Sequence, residues 1–144
     1  MARLLRTALV WKDMLMILKH VALTCSSEKN SDRLCQHLLG LEKEEPKTLD
    51  ISLANAIFKV DTELMMINYR GENVHFEIFI TGQPVGRDDP IGHICLAVKD
   101  LKAFLDKSHQ LQMEIIQVPK GDRTLTFIRD DDGHLFEIKE WTST

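Results

Sequence analysis

The chain repeats itself, and this duplication limits the folds open to its 144 residues more than any other feature. The sequence HVAL at 20–23 is matched by HICL at 93–96. The sequence HFEI at 75–78 is matched by LFEI at 135–138. Two matched beginnings and two matched endings indicate two copies of one supersecondary unit.

Alignment of the two endings also places the turn at 70–73 over the turn at 130–133. We therefore predict a single domain over residues 16–144. Its first module is expected at about 16–82 and its second at about 90–141.

Hydrophobic spacing and capping residues predict the elements of each module. An apolar, β-prone run at 18–25 predicts the opening strand, while Ser27 is a good helix N-cap and Gly40 a good helix stop. In the second copy, Asp100 caps the equivalent helix. Residues 52–60 fit either a short helix or a strand. Each unit consists of a strand, a helix and three more strands, which gives an α+β fold of two βαβββ modules. The other predicted strands are at 63–69, 74–80, 91–98, 114–118, 123–129 and 135–139.

Side chains alternate between the two faces of a strand, and this alternation separates four polar residues from the apolar ones. The opening and closing strands of each copy have one apolar face, which we expect a helix to cover. The opposite face carries His20 and Glu77 in the first copy and His93 and Glu137 in the second. If the modules pack side by side into a curved sheet, these side chains can converge. Two imidazoles and two carboxylates suit one divalent ion such as Zn²⁺, Ni²⁺, Co²⁺, Mn²⁺ or Fe²⁺.

Other polar side chains have simpler interpretations. His75 shares the face of the first glutamate, so it can line a cavity or compete as a ligand. Cys95 shares the face of the second histidine, and we expect a buried, unreactive thiol because no cationic partner is apparent. We expect His134 to be solvated, and the acidic run at 130–132 is interpreted as a solvated turn rather than a calcium site.

The net charge and the number of cysteines indicate which binding partners and which cellular compartment to expect. A net charge of −4 lacks the basic character of a nucleic-acid-binding protein. Three cysteines, an odd number without metal-type spacing, are typical of reduced thiols in a cytoplasmic protein. The apolar stretch within residues 1–15 is too short to span a bilayer, so we expect no membrane association. We interpret residues 1–15 as an N-terminal extension, disordered or loosely docked.

Taken in order, these motifs resemble the vicinal oxygen chelate superfamily, which includes glyoxalase I, bleomycin resistance proteins and extradiol dioxygenases. Its members pair βαβββ modules into a cupped, incomplete mixed β-barrel with helices outside. The turn at 131–133 is similar to the family's turn before the last ligand, with Asp131 where proline is common, and Gly92 resembles its second-module opening. The resemblance covers about 16–141. The family's metal ligands lie on the first and last strands of each module, and the matching positions here are His20, Glu77, His93 and Glu137.

The resemblance implies a metal-dependent lyase or isomerase that acts on a small oxygen-chelating substrate through a metal-stabilised enediolate. The ion meets charge that develops on oxygen, while a carboxylate moves a proton between adjacent carbons. Likeness to glyoxalase I (lactoylglutathione lyase) makes Glu137 the first candidate for this base and Glu77 the second.

The same likeness bears on the substrate and on assembly. The lysine–glycine pair at 120–121 resembles a stretch that lies beside the carboxylates of a thiol conjugate. Lys120 and Arg123 are therefore either substrate-binding residues or solvated loop charges, and His75 is a further substrate-binding candidate. Many relatives are homodimers, and some build each site from modules of two chains. The sequence does not choose between pairing within a chain and pairing across a dimer.

Departures from glyoxalase I leave other functions open. Leu34-Cys35 stands where an aromatic pair is common, and the strand after Glu77 lacks an expected asparagine. An extradiol-type dioxygenase uses two histidines and one glutamate, one ligand fewer than here. An acyl-CoA epimerase usually has glutamine at the position of Glu77. A bleomycin-resistance-like binding protein keeps the fold without the ligand set.

Overall fold

A computed structural model describes residues 16–86 and 88–142 of the chain. The first module contains, in order, β1 (Val21–Cys25), α1 (Glu28–Asp32), a π-helical segment (Arg33–Leu38), β2 (Glu42–Lys43), β3 (Lys47–Leu49), α2 (Ile51–Phe58), β4 (Leu64–Arg70) and β5 (His75–Ile80). The second module contains β6 (Ile94–Val98), α3 (Leu101–Gln110), β7 (Glu114–Lys120), β8 (Arg123–Arg129) and β9 (Leu135–Glu140).

Each module forms its own sheet, and the two sheets have equivalent strand orders. The first sheet has the order β1-β5-β4-β2, with β3 also paired to β4, and the second has the order β6-β9-β8-β7. The opening strand is parallel to the closing strand in both, β1 to β5 and β6 to β9. The predicted α+β fold of two repeated modules is confirmed. The sheets do not close into a barrel within the described residues.

The first module is more elaborate than the predicted unit. The second strand of its βαβββ unit is divided into the short β2 and β3, and α2 follows them. The segment that the sequence left ambiguous is this helix, because the Asp50 carboxylate accepts a hydrogen bond from the backbone N–H of Leu53 at 2.8 Å and caps it. The opening strand begins at Val21 rather than at residue 18, and Leu18 is 84% exposed.

Local capping residues act as predicted. The Ser27 hydroxyl accepts from the Asn30 N–H at 3.1 Å, and the Asp100 carboxylate accepts from the Ala103 N–H at 2.9 Å. Gly40 has a φ of +68°, the left-handed conformation that favours glycine after a helix. These three features depend only on neighbours in sequence, so the sequence could predict them.

The apolar faces of both sheets contribute to one core. Phe76 of β5 and Phe136 of β9 pack edge to face, with ring centroids 6.2 Å apart. Leu34 and Cys35 of the π-helical segment are completely buried in the same core. The predicted alternation is confirmed, since the inward residues of the opening and closing strands all lie in or against this core: Val21, Leu23, Phe76, Ile78, Ile80, Ile94, Leu96, Val98, Phe136 and Ile138.

The turn at 130–134 joins the second module to the first, and this corrects the expectation that it is solvated. His134 Nδ1 lies 2.7 Å from Asp130 Oδ2, and both side chains are largely buried. Asp132 Oδ2 accepts a hydrogen bond from the Ser26 N–H at 3.1 Å, and Asp131 pairs with Arg33 at 2.6 Å. The prediction failed because the partners of the turn lie about a hundred residues away in sequence.

Candidate metal and substrate site

The first pair of candidate ligands lies on the polar face of the first sheet. Glu77 is in the middle of β5, and His20 directly precedes β1, the parallel neighbour of β5. His20 Nε2 lies 3.7 Å from Glu77 Oε2, and the two side chains are 41% and 20% exposed. The predicted alternation therefore brings this histidine and this glutamate together.

The second pair repeats the arrangement on the other sheet. His93 Nε2 lies 3.5 Å from Glu137 Oε2. The other ring nitrogen, Nδ1, lies 2.8 Å from the carbonyl oxygen of Ile91, and the ring packs against Phe127 with centroids 5.6 Å apart. A hydrogen bond from Nδ1 to a carbonyl fixes the tautomer in which Nε2 carries a free lone pair, as metal-binding histidines require.

Both pairs have the spacing of neighbouring ligands on one ion. Ligand nitrogen and oxygen atoms about 2.1 Å from a metal lie about 3.0 Å apart at a right angle and about 3.4 Å apart at a tetrahedral angle. The observed separations of 3.7 and 3.5 Å need only a small side-chain adjustment to reach this range. Each pair therefore fits as half of a metal site.

The structure does not bring the two pairs into one cluster. Within residues 16–86 and 88–142, no group of three or more histidine, cysteine or acidic side chains is arranged to hold an ion. The apolar faces of the sheets share the core through Phe76 and Phe136, so the opposite faces, which carry the ligand pairs, are directed away from that core. A four-ligand site from side-by-side modules is thus not formed within the described part of one chain.

A polar network beside Glu77 was missed by the sequence reasoning, apart from His75 itself. His75 Nε2 lies 2.7 Å from Asn68 Oδ1, and Asn68 is paired with Glu77 across β4 and β5. Arg70 approaches His75 Nδ1 at 3.3 Å and forms an ion pair with Glu44. Partial burial, together with the charges of Arg70 and His20, lowers the pKa of His75. The signal that could have revealed this network is Asn68, a polar residue in an otherwise apolar strand.

Comparison with known proteins decides the family. The family model of the glyoxalase/bleomycin resistance protein/dioxygenase superfamily matches residues 17–138. The chain belongs to this superfamily.

Solved structures agree with this assignment at the level of the fold. A glyoxalase family protein from Bacillus cereus superposes with a TM-score of 0.70 at 14% identity, covering 90% of this chain and 96% of that one. A mutant of the fosfomycin resistance protein FosX from Listeria monocytogenes, complexed with Mn(II) and 1S,2S-dihydroxypropylphosphonic acid, has a TM-score of 0.67 at 15% identity and covers 90% and 93%. At these identities the likeness shows the shared fold.

A curated relative is much longer than this chain. The inorganic phosphate transporter PHO87 of Saccharomyces cerevisiae is 27% identical over 131 residues, which are 85% of this chain and 14% of the transporter. The transport activity in its name belongs to that longer protein. In the part of the chain that the structure describes, no helix has both the length and the apolar character needed to cross a membrane.

In this glyoxalase-superfamily chain, the two basic substrate-binding candidates lie at the tip of the β7–β8 hairpin. Lys120 and Arg123 are cross-strand partners and are both exposed. Arg123 has the same parity as Phe127, which is paired with Glu137, so both cations are on the face of the second ligand pair. Arg123 and Phe127 are four positions apart along the strand, a distance of about 13 Å. Lys139, which the sequence reasoning missed, is closer, with Nζ 3.8 Å from Glu137 Oε1.

Cys95 departs from the expectation of a buried thiol. It is exposed, because the polar face of β6 is not covered within the described residues. Partial burial and the neighbouring Glu137 carboxylate raise the pKa of this thiol. A raised pKa lowers the fraction of Cys95 that is present as thiolate. We therefore still expect this thiol to be unreactive, as the sequence suggested. Cys25 and Cys35 are buried in the core, and burial raises the pKa of both.

Proposed function

We propose that this protein is a metal-dependent enzyme whose two histidine–glutamate pairs are half-sites that a second copy of the chain completes. The observation that carries the proposal is the pair geometry. His20–Glu77 and His93–Glu137 each have the spacing of neighbouring ligands, yet they lie on separate sheets whose polar faces are partly open. A homodimer that joins the first module of one chain to the second module of its partner supplies four ligands to each ion.

Ni²⁺, Zn²⁺, Co²⁺, Mn²⁺ and Fe²⁺ suit this donor set, since imidazole and carboxylate are common ligands of all five. When bound, the ion would act as a Lewis acid toward two neighbouring oxygens of a small substrate. The reaction best supported is a glyoxalase-type proton transfer between adjacent carbons, with an enediolate as the intermediate.

The residues of this chain have defined roles in that reaction. Glu137 is the first candidate for general base and Glu77 the second, because each carboxylate lies at a half-site and can accept a proton from a bound substrate. The hydrogen bond between His93 Nδ1 and Ile91 fixes the imidazole, so Nε2 stays directed at Glu137. Lys139, with Lys120 and Arg123 farther out on the same face, provides positive charge for an anionic substrate such as a thiol conjugate.

A second candidate reaction is opening of a small phosphonate epoxide to a diol. The FosX neighbour was solved with Mn(II) and a dihydroxypropylphosphonic acid, a vicinal diol with an anionic group. Leu34 and Cys35, which replace the aromatic pair of glyoxalase I, are buried in the core here, so the chain departs from glyoxalase I at that helix. A dioxygenase is less well supported because the fourth ligand leaves fewer open positions on the metal. The substrate screen described below also tests two other functions, an acyl-CoA epimerase and a non-catalytic bleomycin-binding protein.

Metal binding to half-sites can be tested by complementation between two inactive chains. One chain carries His20→Ala with Glu77→Gln, and the other carries His93→Ala with Glu137→Gln. Each alone is expected to lose metal, as measured by elemental analysis after dialysis against Mn²⁺, Ni²⁺ or Zn²⁺. A heterodimer of the two has one site with all four native ligands, so we expect about one ion per heterodimer.

The control chain carries His109→Ala with Glu63→Gln, both at exposed positions away from the sheet face. It should retain the metal of the unmodified protein. A mixture without recovered metal would contradict the shared site. Metal that persists in both double variants would contradict the ligand assignment itself.

The reaction class is tested on the metal-loaded protein with hemithioacetals, phosphonate epoxides, acyl-CoA thioesters and catechols. We expect turnover of a hemithioacetal and its loss in Glu137→Gln with the metal retained at reduced affinity. Turnover of the epoxide alone would favour the second candidate. Turnover of none, with tight binding of a hydrophobic antibiotic, would favour a binding protein.

A further inference from the structure

A short turn at 89–92 directly precedes His93. The Asp89 carboxylate accepts two backbone hydrogen bonds within it, because Oδ1 lies 3.1 Å from the Ile91 nitrogen and 2.9 Å from the Gly92 nitrogen. An aspartate that accepts from the backbone N–H two residues later forms an Asx turn. Pro90 lies between them, and its fixed φ limits the other conformations open to the turn. The carboxylate of Asp89 therefore holds this turn in one conformation.

The same turn is connected to the imidazole of His93. Nδ1 of His93 lies 2.8 Å from the carbonyl oxygen of Ile91, whose own N–H donates to Asp89. The side chain of Ile91 is 78% exposed, so side-chain packing does little to fix this residue. The position of its carbonyl therefore depends on the hydrogen bonds of the turn. A continuous path of two hydrogen bonds links the carboxylate to the imidazole.

Gly92 is the residue that lets the carboxylate approach the backbone. A Cβ atom at this position would lie 2.2 Å from Asp89 Oδ2 and 3.0 Å from Asp89 Cγ, which is closer than non-bonded atoms can approach. The aspartate side chain is short and is held by two hydrogen bonds, so it cannot move away without breaking them. Glycine before His93 thus has a physical reason, which is the carboxylate packed against it.

His20 of the other half-site has no comparable support among the described residues. Within residues 16–86 and 88–142, neither of its ring nitrogens has a hydrogen bond. The imidazole lies 3.7 Å from the Glu77 carboxylate and packs edge to face with His75. β1 begins only at Val21, so His20 is also outside the sheet ladder. Of the two histidines, His93 is the one that the described chain holds in a fixed orientation.

We propose that Asp89 is a positioning residue for metal binding at the second half-site. Through Ile91, its carboxylate fixes the orientation and the tautomer of His93, so that Nε2 keeps a free lone pair directed at the side of Glu137. Groups that hydrogen-bond to a metal ligand change metal affinity by about tenfold to a hundredfold. Asp89 acts through one intervening residue, so an effect of about tenfold is expected. The proposal rests on the proposed function, in which His93 is a ligand.

The tautomer of His93 in the metal-free protein gives a test that needs no metal. Long-range ¹H–¹⁵N NMR at about pH 9, where imidazole side chains are neutral, distinguishes a proton on Nδ1 from one on Nε2. We expect the unmodified protein to have His93 protonated at Nδ1, which donates to Ile91. In Asp89→Ala the Ile91 carbonyl is no longer held in place, so a mixture of the two tautomers is expected.

Metal affinity gives the second measurement. The dissociation constant for Mn²⁺, measured by isothermal titration calorimetry, is expected to rise about tenfold in Asp89→Ala. Gly92→Ala should have a similar effect, because the added methyl group displaces the Asp89 carboxylate. Asp89→Asn should behave like the unmodified protein, since the amide oxygen of asparagine can accept the same two hydrogen bonds.

Asp88→Ala is the matched control, because it removes an exposed aspartate from the neighbouring position and should change neither measurement. The proposal is overturned if Asp89→Ala leaves either the tautomer or the Mn²⁺ affinity unchanged. It is also overturned if Asp89→Asn loses as much affinity as Asp89→Ala, which would assign the effect to charge alone. No binding of Mn²⁺, Ni²⁺ or Zn²⁺ by the unmodified protein would contradict the proposed function instead, and the tautomer of His93 would then decide the role of Asp89.

Discussion

The buried pair of His134 and Asp130 should make the stability of the protein depend on pH. His134 Nδ1 lies 2.7 Å from Asp130 Oδ2, and the imidazole is 15% exposed. Burial by itself lowers the pKa of His134. This effect is outweighed by the hydrogen bond to Asp130, the charges of Asp130 and Asp132, and the contact with the Thr24 backbone. The pKa of His134 therefore lies above its ordinary value.

The direction of the effect follows from this raised pKa. In the unfolded chain a histidine has a pKa of about 6.5. Because the folded pKa is higher, the added stability is fully present below about pH 6.5 and is lost as the pH rises through the folded pKa. A hydrogen bond to a charged group contributes about 1.5–3 kcal/mol, and a neutral one about 1 kcal/mol. The protonated pair should therefore contribute about 0.5–2 kcal/mol more than the neutral pair.

His134→Gln isolates this charge, because glutamine keeps a hydrogen-bond donor but does not ionise. We expect the substitution to lower the free energy of unfolding by about 0.5–2 kcal/mol more at pH 5.5 than at pH 9, measured by urea denaturation. The control is His109→Gln, on the exposed surface of α3, which should have little effect at either pH. A cost for His134→Gln that is equal at both pH values, or larger at pH 9, would refute the reasoning.

Three substitutions test the packing and local geometry by chemical denaturation. Phe136→Ala should lower the free energy of unfolding by about 3–5 kcal/mol, since the ring is fully buried, and Phe127→Ala, on the polar face, should cost less. Gly40→Ala should cost about 1 kcal/mol because φ is +68° and no atom lies near the added methyl, whereas Gly40→Asn should cost less. Tyr69→Phe should cost about 1–3 kcal/mol, because the hydroxyl is buried and lies 2.6 Å from Ser31 Oγ. Equal costs for the two phenylalanines, or no cost at Gly40 or Tyr69, would contradict these assignments.

Which residues share a face could be predicted from the sequence because strand alternation is a local property. Val21 and Leu23 pack against the core as expected, and His20 lies beside Glu77. The same reasoning placed His93 beside Glu137. Duplication strengthened these assignments, because the same residue types recur at equivalent positions in both copies.

Elements that depend on distant partners could not be predicted in this way. β2 and β3 are two and three residues long and exist because they pair with β4. Asn68 was overlooked because its role comes from the neighbouring strand, where His75 and Glu77 lie. Cys95 was expected to be buried, yet its exposure depends on what covers the polar face of β6.

The sequence by itself determined the two modules, their helix caps and the four candidate ligands, since each follows from spacing within about eight residues or from the repeat. Only the tertiary structure decided how the modules meet. Phe76 and Phe136 join the apolar faces, and the hydrogen bond from the Ser26 N–H, just after β1, to Asp132 links the second module to the first. Because these contacts link residues far apart in sequence, the sequence alone did not show that the four ligands form two separate pairs in the described chain.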